Sequence, residues 1–245
     1  GAIAYEHLPF IADSPLARLA AVCDTSPAMA AAAGERFGAG AIHTDFGTLL
    51  ADTKPDIVHV LTPPHTHDPI VRQALAAGAH VICEKPMTGT EHETAALLDA
   101  AAQVDKVLVE SRNLMFNDAI LTLQRMVADG KLGQVVECDV LMSLDFLAGP
   151  FGDPNLAGQV DLPAGAIHDF LPHLVYLYQS VAGLDDDYHV YGVLKNRTGN
   201  VRARFDHLDV LIDGSVRGRL RVATDAYPEA FRMVVRGTKG TVETD

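Results

Sequence analysis

The chain has 245 residues, enough for one large domain or two of ordinary size. Its formal net charge is −13 at pH 7 with no block rich in lysine and arginine, which argues against nucleic acid and against an anionic membrane as partners. No apolar run is long enough to span a bilayer, and no basic stretch precedes a hydrophobic core at the N-terminus, so the sequence predicts a soluble, cytoplasmic protein. The widely spaced Cys23, Cys83 and Cys138 predict reduced, mostly buried thiols.

Short apolar strands alternate with helices through the first half of the chain. Strands are predicted at 19–23, 56–61, 81–83 and 106–110, and helices at about 26–37, 66–77 and 90–104, with a short helix after Asp45. Thr90 and Glu93 have the spacing of a capping box. Elements in this order, joined by short loops, are typical of a parallel sheet with helices on both faces.

The pattern changes near residue 112, where a mainly strand-forming region begins. Helices are predicted at about 118–129 and 170–181, the second with Pro172 in its first turn, and strands near 134–144, 187–195, 201–213, 216–224 and 230–237. The sequence therefore predicts an α/β protein: a parallel-sheet domain over residues 1–112, followed by an α+β domain with a largely antiparallel open sheet over residues 113–245.

A lysine follows the predicted strand at 81–83, in the run Glu84-Lys85-Pro86. The residue before a proline is biased towards extended backbone, so Lys85 is predicted at the carboxyl end of the strand rather than in a helix. Ligands of open α/β sheets bind at that edge. Lys85 is therefore either a cation that faces a substrate or an ordinary surface lysine.

The first residues carry half of a nucleotide-binding pattern. Gly1 and Ala4 have the spacing of the last two small residues of the G-x-G-x-x-G/A turn. Asp24 follows the next strand at about the distance where a carboxylate binds the ribose hydroxyls and would repel a 2′-phosphate, which favours NAD over NADP. The alternatives are an ordinary terminal glycine and an aspartate that caps a helix.

Two further groups of residues can carry chemistry. Asp169 and His173 are four apart on a predicted helix and share a face, and a histidine beside a carboxylate suits proton transfer near neutral pH. The alternatives are an N-cap aspartate beside a structural histidine, or a metal site that includes His168. In the loop 62–67 two prolines fix the exit from a strand at the edge where Lys85 is predicted, and His65 and His67 are interpreted there as loop histidines.

Taken in chain order, these motifs resemble the glucose-fructose oxidoreductase / inositol dehydrogenase (Gfo/Idh/MocA) family. The resemblance covers nearly the whole chain, and its specific part is Glu84-Lys85-Pro86 together with the Asp169-x-x-x-His173 helix. It implies a Rossmann domain and a sheet-based second domain that often also forms the subunit interface of a homo-oligomer. It further implies NAD(P)-dependent transfer of hydride to or from a hydroxyl or ketone carbon of a sugar, cyclitol or similar small molecule.

The family pattern, carried onto this chain, assigns three catalytic residues. Lys85 matches the substrate-site lysine, Asp169 its partner acid and His173 the proton-transfer residue. The cofactor contacts implied by the resemblance fall on Gly1, Ala2, Ile3, Asp24, Thr62, Pro63, His67, Glu84 and Lys85. The implied cofactor is NAD, with NADP less favoured because of Asp24.

The chain departs from the family pattern in three places. No strand and no first glycine precede Gly1, and the run 237–242 resembles a turn inside the second domain rather than its end, so native residues are expected to be missing at both ends. Met115 stands where many relatives have an arginine. Two rival functions remain: a redox-neutral, NAD-assisted glycosidase or lyase of the same family, and a non-catalytic module that binds a nucleotide or sugar. A metal-dependent hydrolase is a more distant alternative.

Overall fold

Two structural units, Gly1–Ser111 and Arg112–Asp245, make up the chain. The computed structural model describes residues 3–145, 164–183, 187–199 and 204–244, apart from the side chains of residues 225–227. Within these ranges, no helix combines the length and the apolar character needed to cross a membrane.

The first unit is built from parallel strands and helices, as the sequence predicts. Its strands are β1 (Ala21–Cys23), β2 (Ala41–His43), β3 (Ile57–Val60), β4 (His80–Cys83) and β5 (Leu108–Glu110). Its α-helices are α1 (Ala4–Asp13), α2 (Pro27–Phe37), α3 (Phe46–Thr53), α4 (His67–Ala76) and α5 (Glu91–Gln103). β1 pairs with β2, and β3, β4 and β5 form a second sheet in that order, with every pair parallel.

Local capping signals set the starts of two predicted helices. The Ser26 side chain accepts a hydrogen bond from the Met29 N–H at the start of α2, and Thr90 accepts one from the Glu93 N–H at the start of α5. Both predicted helix starts are confirmed. The hydroxyls stabilise them by accepting hydrogen bonds from amide groups that have no partner inside the helix. The three-residue strand β2 was not predicted, since so short a segment carries no periodic signal.

The strand that leads to Lys85 is buried, as its apolar run predicts. Val81 and Cys83 are buried on β4 and pack in a core with Val58 and Val60 of β3. Cys83 is a free thiol, and burial together with the nearby carboxylates of Glu110 and Glu84 raises its pKa to about 12. Cys83 therefore contributes to packing, and it is not a nucleophile at neutral pH.

The second unit is an open sheet with helices packed on it. Its strands are β6 (Val135–Asp145), β7 (His189–Lys195), β8 (His207–Asp213), β9 (Arg217–Ala223), β10 (Asp225–Gly237) and β11 (Thr241–Thr244), and its α-helices are α6 (Asp118–Ala128) and α7 (Ala166–Ala182). The strand order is β11-β10-β6-β9-β8-β7. Only the β6–β9 pair among these neighbours is parallel, so the predicted fold class, with its largely antiparallel second sheet, is confirmed.

Helix α7 begins earlier than the sequence predicts. It starts at Ala166 rather than near residue 170, so Pro172 lies inside the helix and not in its first turn. The start was missed because Gly165 precedes the helix without a side-chain cap.

Packing of α7 outweighs the backbone hydrogen bond that Pro172 cannot make, since Ile167, Leu174 and Leu177 are buried in the core of the second unit. Asp169 thus lies within the first turn and is not the N-cap.

A buried aspartate fixes the chain before β8. Asp206 is fully buried, and its carboxylate accepts hydrogen bonds from the Arg197 N–H at 2.7 Å and the Thr198 N–H at 2.8 Å. The Thr198 hydroxyl and His207 Nδ1 also contact it, at 2.5 and 2.8 Å. Burial alone would raise the pKa of Asp206, but these hydrogen bonds outweigh it and hold the pKa well below its usual range.

Replacing Asp206 with asparagine should reduce the free energy of unfolding by about 2–4 kcal/mol at neutral pH, because several donors would lose a charged acceptor. The folded-state pKa lies below the unfolded value, so this stabilisation is present above about pH 4 and is lost as the pH falls further. Urea unfolding of the full chain, at neutral pH and at about pH 3, measures both effects. Asp213→Asn, at the exposed end of the same strand, is the control. An equal effect of the two variants would contradict the prediction.

Candidate active site

Lys85 stands at the carboxyl edge of the three-stranded sheet, two residues after β4 ends. The backbone around it is tied to both neighbouring strands, since the Glu84 N–H donates to the Val60 carbonyl and the Ser111 N–H donates to the Cys83 carbonyl. The Lys85 N–H donates to Glu84 Oε2 at 3.2 Å, and the Lys85–Pro86 peptide bond is cis. The ammonium is therefore carried by backbone that the sheet positions.

A chain of polar side chains begins at Glu84, the residue before this lysine. Glu84 is buried, and its Oε1 lies 3.1 Å from His7 Nε2 on helix α1. His7 Nδ1 in turn lies 3.2 Å from His59 Nδ1 on β3. Burial alone would raise the pKa of Glu84, but hydrogen bonds from His7 and Ser111 and the charge of Lys85 lower it below its usual value. Glu84 is therefore an anion near neutral pH.

The two histidines of this chain differ in their environment. Burial, together with the electrostatic effect of the nearby His7, lowers the pKa of His59 to about 4. The two Nδ1 atoms can share one proton, in a direction that depends on the tautomers, and the Nε2–H of His7 can donate to Glu84. Neither histidine was singled out from the sequence, because His7 lies 52 residues from His59 and 77 from Glu84.

The predicted site residues that follow β3 differ in their exposure to solvent. Thr62 and Pro63 are exposed at the carboxyl end of the strand. His67 is fully buried, with Nε2 2.8 Å from the Thr62 carbonyl and Nδ1 3.0 Å from the Pro86 carbonyl. His67 is the first residue of α4, and these contacts tie the loop before it to the segment that follows Lys85.

The nucleotide-binding residues predicted near the N-terminus are only partly described. Gly1 and Ala2 lie outside the described residues, and Ile3 precedes the first turn of α1. Asp24 follows β1, and its Oδ1 accepts a hydrogen bond from the Ser26 N–H at 2.9 Å. Ser26, not Asp24, caps α2. The capping alternative for Asp24 is therefore wrong, although the carboxylate does stabilise the turn that leads into the helix.

In the second unit, Asp169 and His173 are both buried on α7, at 8% and 7% exposure. Their spacing of four places them on one helix face, as predicted. The Nδ1 atom of His173 lies 2.6 Å from the hydroxyl oxygen of Tyr176, one turn further along the helix. Tyr176 is buried as well, and the Leu114 N–H donates to its hydroxyl at 3.3 Å.

The predicted site residues fall into two sets, each with its own local structure. Glu84 and Lys85 belong to the first unit, while Asp169 and His173 belong to the second. In the part of the chain that the structure describes, no three His, Cys, Asp or Glu side chains are grouped as metal ligands. Tyr176 was missed from the sequence, although its spacing of three from His173 was a usable signal.

Comparison with known families gives two matches that together cover most of the chain. Residues 1–111 match the family described as "Oxidoreductase family, NAD-binding Rossmann fold". Residues 120–243 match the "GFO/IDH/MocA C-terminal domain". The two matches follow the same order as the two structural units.

Two curated proteins illustrate the range of relatives. D-xylose 1-dehydrogenase (NADP(+)) 2 of Haloferax volcanii is 31% identical over 227 residues, which are 92% of this chain and 67% of that protein. dTDP-3,4-didehydro-2,6-dideoxy-alpha-D-glucose 3-reductase of Streptomyces violaceoruber is 33% identical over 162 residues, 66% of this chain and 46% of that protein. For other relatives the aligned part is as little as 26% of their length.

Solved structures of other proteins share this fold. The scyllo-inositol dehydrogenase from Lactobacillus casei, with bound NAD(H) and scyllo-inositol, superimposes with a TM-score of 0.88 at 20% identity. The superposition covers 100% of this chain and 73% of that one. Because family matches extend over both units and a relative above 30% identity aligns with nearly all of the sequence, the chain belongs to the Gfo/Idh/MocA family of oxidoreductases.

Proposed function

We propose that this protein is an NAD(P)-dependent oxidoreductase that transfers hydride between nicotinamide and a hydroxyl or ketone carbon of a sugar, cyclitol or similar small molecule. Residues 1–112 would hold the nucleotide, and residues 113–245 would supply substrate contacts and the interface of a homo-oligomer. The single observation that carries the proposal is the pair of buried polar groups Asp169 and His173 on one face of α7. Buried polar side chains in such a pair are retained at a stability cost, which a catalytic role would explain.

The residues of the first unit fit a dinucleotide. The start of α1 at Ala4 offers backbone N–H groups of the kind that bind phosphate oxygens. Asp24 places a carboxylate after β1, where it can accept hydrogen bonds from ribose hydroxyls. The exposed Thr62 and Pro63 would contact the nucleotide. The buried His67 would hold that loop in place and would not contact the nucleotide itself.

Each catalytic residue has a distinct role in the proposal. His173 accepts the proton of the substrate hydroxyl during oxidation and returns it during reduction. Asp169 helps to orient His173 and stabilises the imidazolium that forms. Lys85 donates a hydrogen bond to the reacting oxygen and offsets the negative charge that develops on it. A bound nicotinamide supplies the hydride chemistry.

Calorimetric titration of NADH and, separately, NADPH into the protein tests the nucleotide half of the proposal. We expect NADH to bind more tightly, and Asp24→Asn to weaken NADH binding by about 10-fold to 100-fold, because a charged acceptor for two hydroxyls is lost. NADPH binding should weaken less, so the preference shrinks. Asp52→Asn, an exposed aspartate on α3, is the matched control. A preference for NADPH in the unaltered protein would contradict the role of Asp24.

Screening sugars and cyclitols for NADH formation tests the catalytic half. Turnover with any of them, dependent on His173, would support the dehydrogenase. Tight retention of NAD with cleavage of a glycoside and no net NADH would favour the redox-neutral alternative. Binding of a nucleotide or sugar without any turnover would favour the non-catalytic module.

A further inference from the structure

His7 connects helix α1 to the residue that precedes Lys85. Its Nε2 atom lies 3.1 Å from Glu84 Oε1, and the two side chains are only 17% and 10% exposed. An ionised carboxylate can only accept a hydrogen bond, so the Nε2–H of His7 is the donor in this contact. The contact joins the first turn of α1 to the end of β4, across 77 residues of sequence.

The second ring nitrogen of His7 is held as well. His7 Nδ1 lies 3.2 Å from Nδ1 of His59 on β3, and the two rings meet at an interplanar angle of 82° with centroids 5.4 Å apart. Either nitrogen can be the donor, and in both cases the ring of His7 is held between His59 and Glu84. The lowered pKa of His59 leaves its imidazole uncharged at neutral pH.

Glu84 links His7 to the backbone of Lys85. Its Oε2 accepts a hydrogen bond from the Lys85 N–H at 3.2 Å, while its Oε1 faces His7. That backbone nitrogen is bonded to the Cα atom from which the lysine side chain extends. The direction of the lysine side chain therefore depends on where the carboxylate of Glu84 lies, and His7 helps to set that place.

The burial of Glu84 makes its hydrogen-bond donors important. The residue is 8% exposed, and a buried carboxylate that loses a donor is strongly destabilised. Hydrogen bonds from His7 and Ser111 lower the pKa of Glu84 although burial opposes them. Without the His7 donor, the carboxylate would rotate towards another donor or take up a proton. Either change would weaken the acceptor that the Lys85 N–H uses.

We infer that His7 is a positioning residue, which fixes Lys85 by holding the carboxylate of Glu84. His7 lies on the helix whose first N–H groups are proposed to bind the nucleotide, so α1 would serve both the cofactor and the lysine. This inference deepens the proposed function and rests on it. The contacts that carry it lie entirely within the first unit, so they can be measured without any substrate.

Two substitutions of His7 separate its two nitrogens. In His7→Gln the side-chain amide nitrogen takes roughly the place of Nε2, so a donor to Glu84 is kept. In His7→Asn the shorter side chain places its amide nitrogen near the position of Nδ1, so the donor to Glu84 is lost. Both variants are polar and uncharged. His92→Asn, at an exposed position on α5, is the matched control.

NMR of the Glu84 carboxyl carbon and of the Lys85 amide proton tests the inference without substrate. In His7→Asn we expect the pKa of Glu84 to rise, because the contribution of His7 is lost while burial remains. The Lys85 amide proton should move upfield, since its hydrogen bond to the carboxylate weakens. Both changes should be smaller in His7→Gln and absent in His92→Asn.

Kinetics with an active sugar or cyclitol tests the consequence for catalysis. His7→Asn should lower kcat by about 10-fold to 100-fold, because a misplacement of about 1 Å can cost as much, and His7→Gln should keep most of the activity. In a Glu84→Gln background, His7→Asn should cause little further loss, since a residue that acts through another is non-additive with it.

An unchanged pKa of Glu84 and an unchanged Lys85 amide shift in folded His7→Asn would overturn the inference. Equal losses of kcat in His7→Asn and His7→Gln, or losses that multiply in the double variant, would also overturn it. The amide spectrum of each variant shows whether it is folded, and His7→Leu, with the same expected shifts, replaces His7→Asn if that variant does not fold. The expected NMR changes in a protein without turnover would support this inference and count against the proposed function.

Discussion

Replacing His173 with alanine is expected to lower kcat by about 100-fold to 10,000-fold, the usual contribution of a positioned general acid or base. The dissociation constant for NADH should change little, because His173 lies in the second unit and the residues proposed to bind the nucleotide lie in the first. Steady-state kinetics with an active sugar or cyclitol measures the first quantity, and calorimetry measures the second. The size of the loss would identify His173 as the residue that moves the proton.

The design of this test depends on separating chemistry from folding. His173 is buried at 7% exposure, so the alanine variant also leaves a small cavity and should be shown to be folded. His189→Ala, at an exposed position on β7, removes the same side chain outside the proposed site and should retain full activity. Equal losses in kcat and in NADH affinity would contradict the assigned role. A small diffusible base added to the assay is expected to restore part of the turnover that the alanine variant loses.

The sequence predicts those parts of the fold that depend on nearby residues. The buried strand that ends before Lys85 has an apolar run, and α5 has its capping residues Thr90 and Glu93. Both elements can therefore be predicted from residues that are close in the sequence. The start of α7 was not predictable in this way, since Gly165 provides no cap and Pro172 suggests a later start. There the packing of a buried helix face decides the boundary, and packing depends on residues far away in sequence.

The same distinction separates the site residues from their supports. The positions of Lys85, Asp169 and His173 follow from local motifs, and the structure places them at a strand end and on a helix face. Their hydrogen-bond partners come from distant segments. Asn113 lies 63 residues from Tyr176, and His7 lies 77 residues from Glu84. No pattern of neighbouring residues predicts contacts between such distant segments. The contact of Tyr176 with His173 could have been predicted, because the two residues are only three apart on one helix.

Glu84 illustrates how a supporting residue shapes the proposed chemistry. Its Oε2 accepts the Lys85 N–H, and its Oε1 faces His7, so the carboxylate holds the backbone that carries the lysine. A cation fixed in this way is suited to hydrogen-bonding a substrate oxygen throughout the reaction.

Replacing Lys85 with methionine is therefore expected to lower kcat by about 100-fold to 1,000-fold, the typical effect of removing one preorganised donor from a developing negative charge. Methionine keeps much of the length and apolar surface of the side chain, so the loss would reflect the charge and its donors rather than packing. Lys106→Met is the matched control, because it removes the same charge just before β5, at the opposite edge of the sheet. Comparable losses in the two variants would show that net charge, not position, is responsible.

Combining Lys85→Met with His173→Ala tests whether the two residues act on the same step. Groups that work on one reacting atom are strongly non-additive, so the double variant should lose about as much activity as the more damaging single one. If the two losses multiplied instead, the residues would contribute independently and the shared site would be wrong. Strong non-additivity would thus support a role for both residues in the same reaction step.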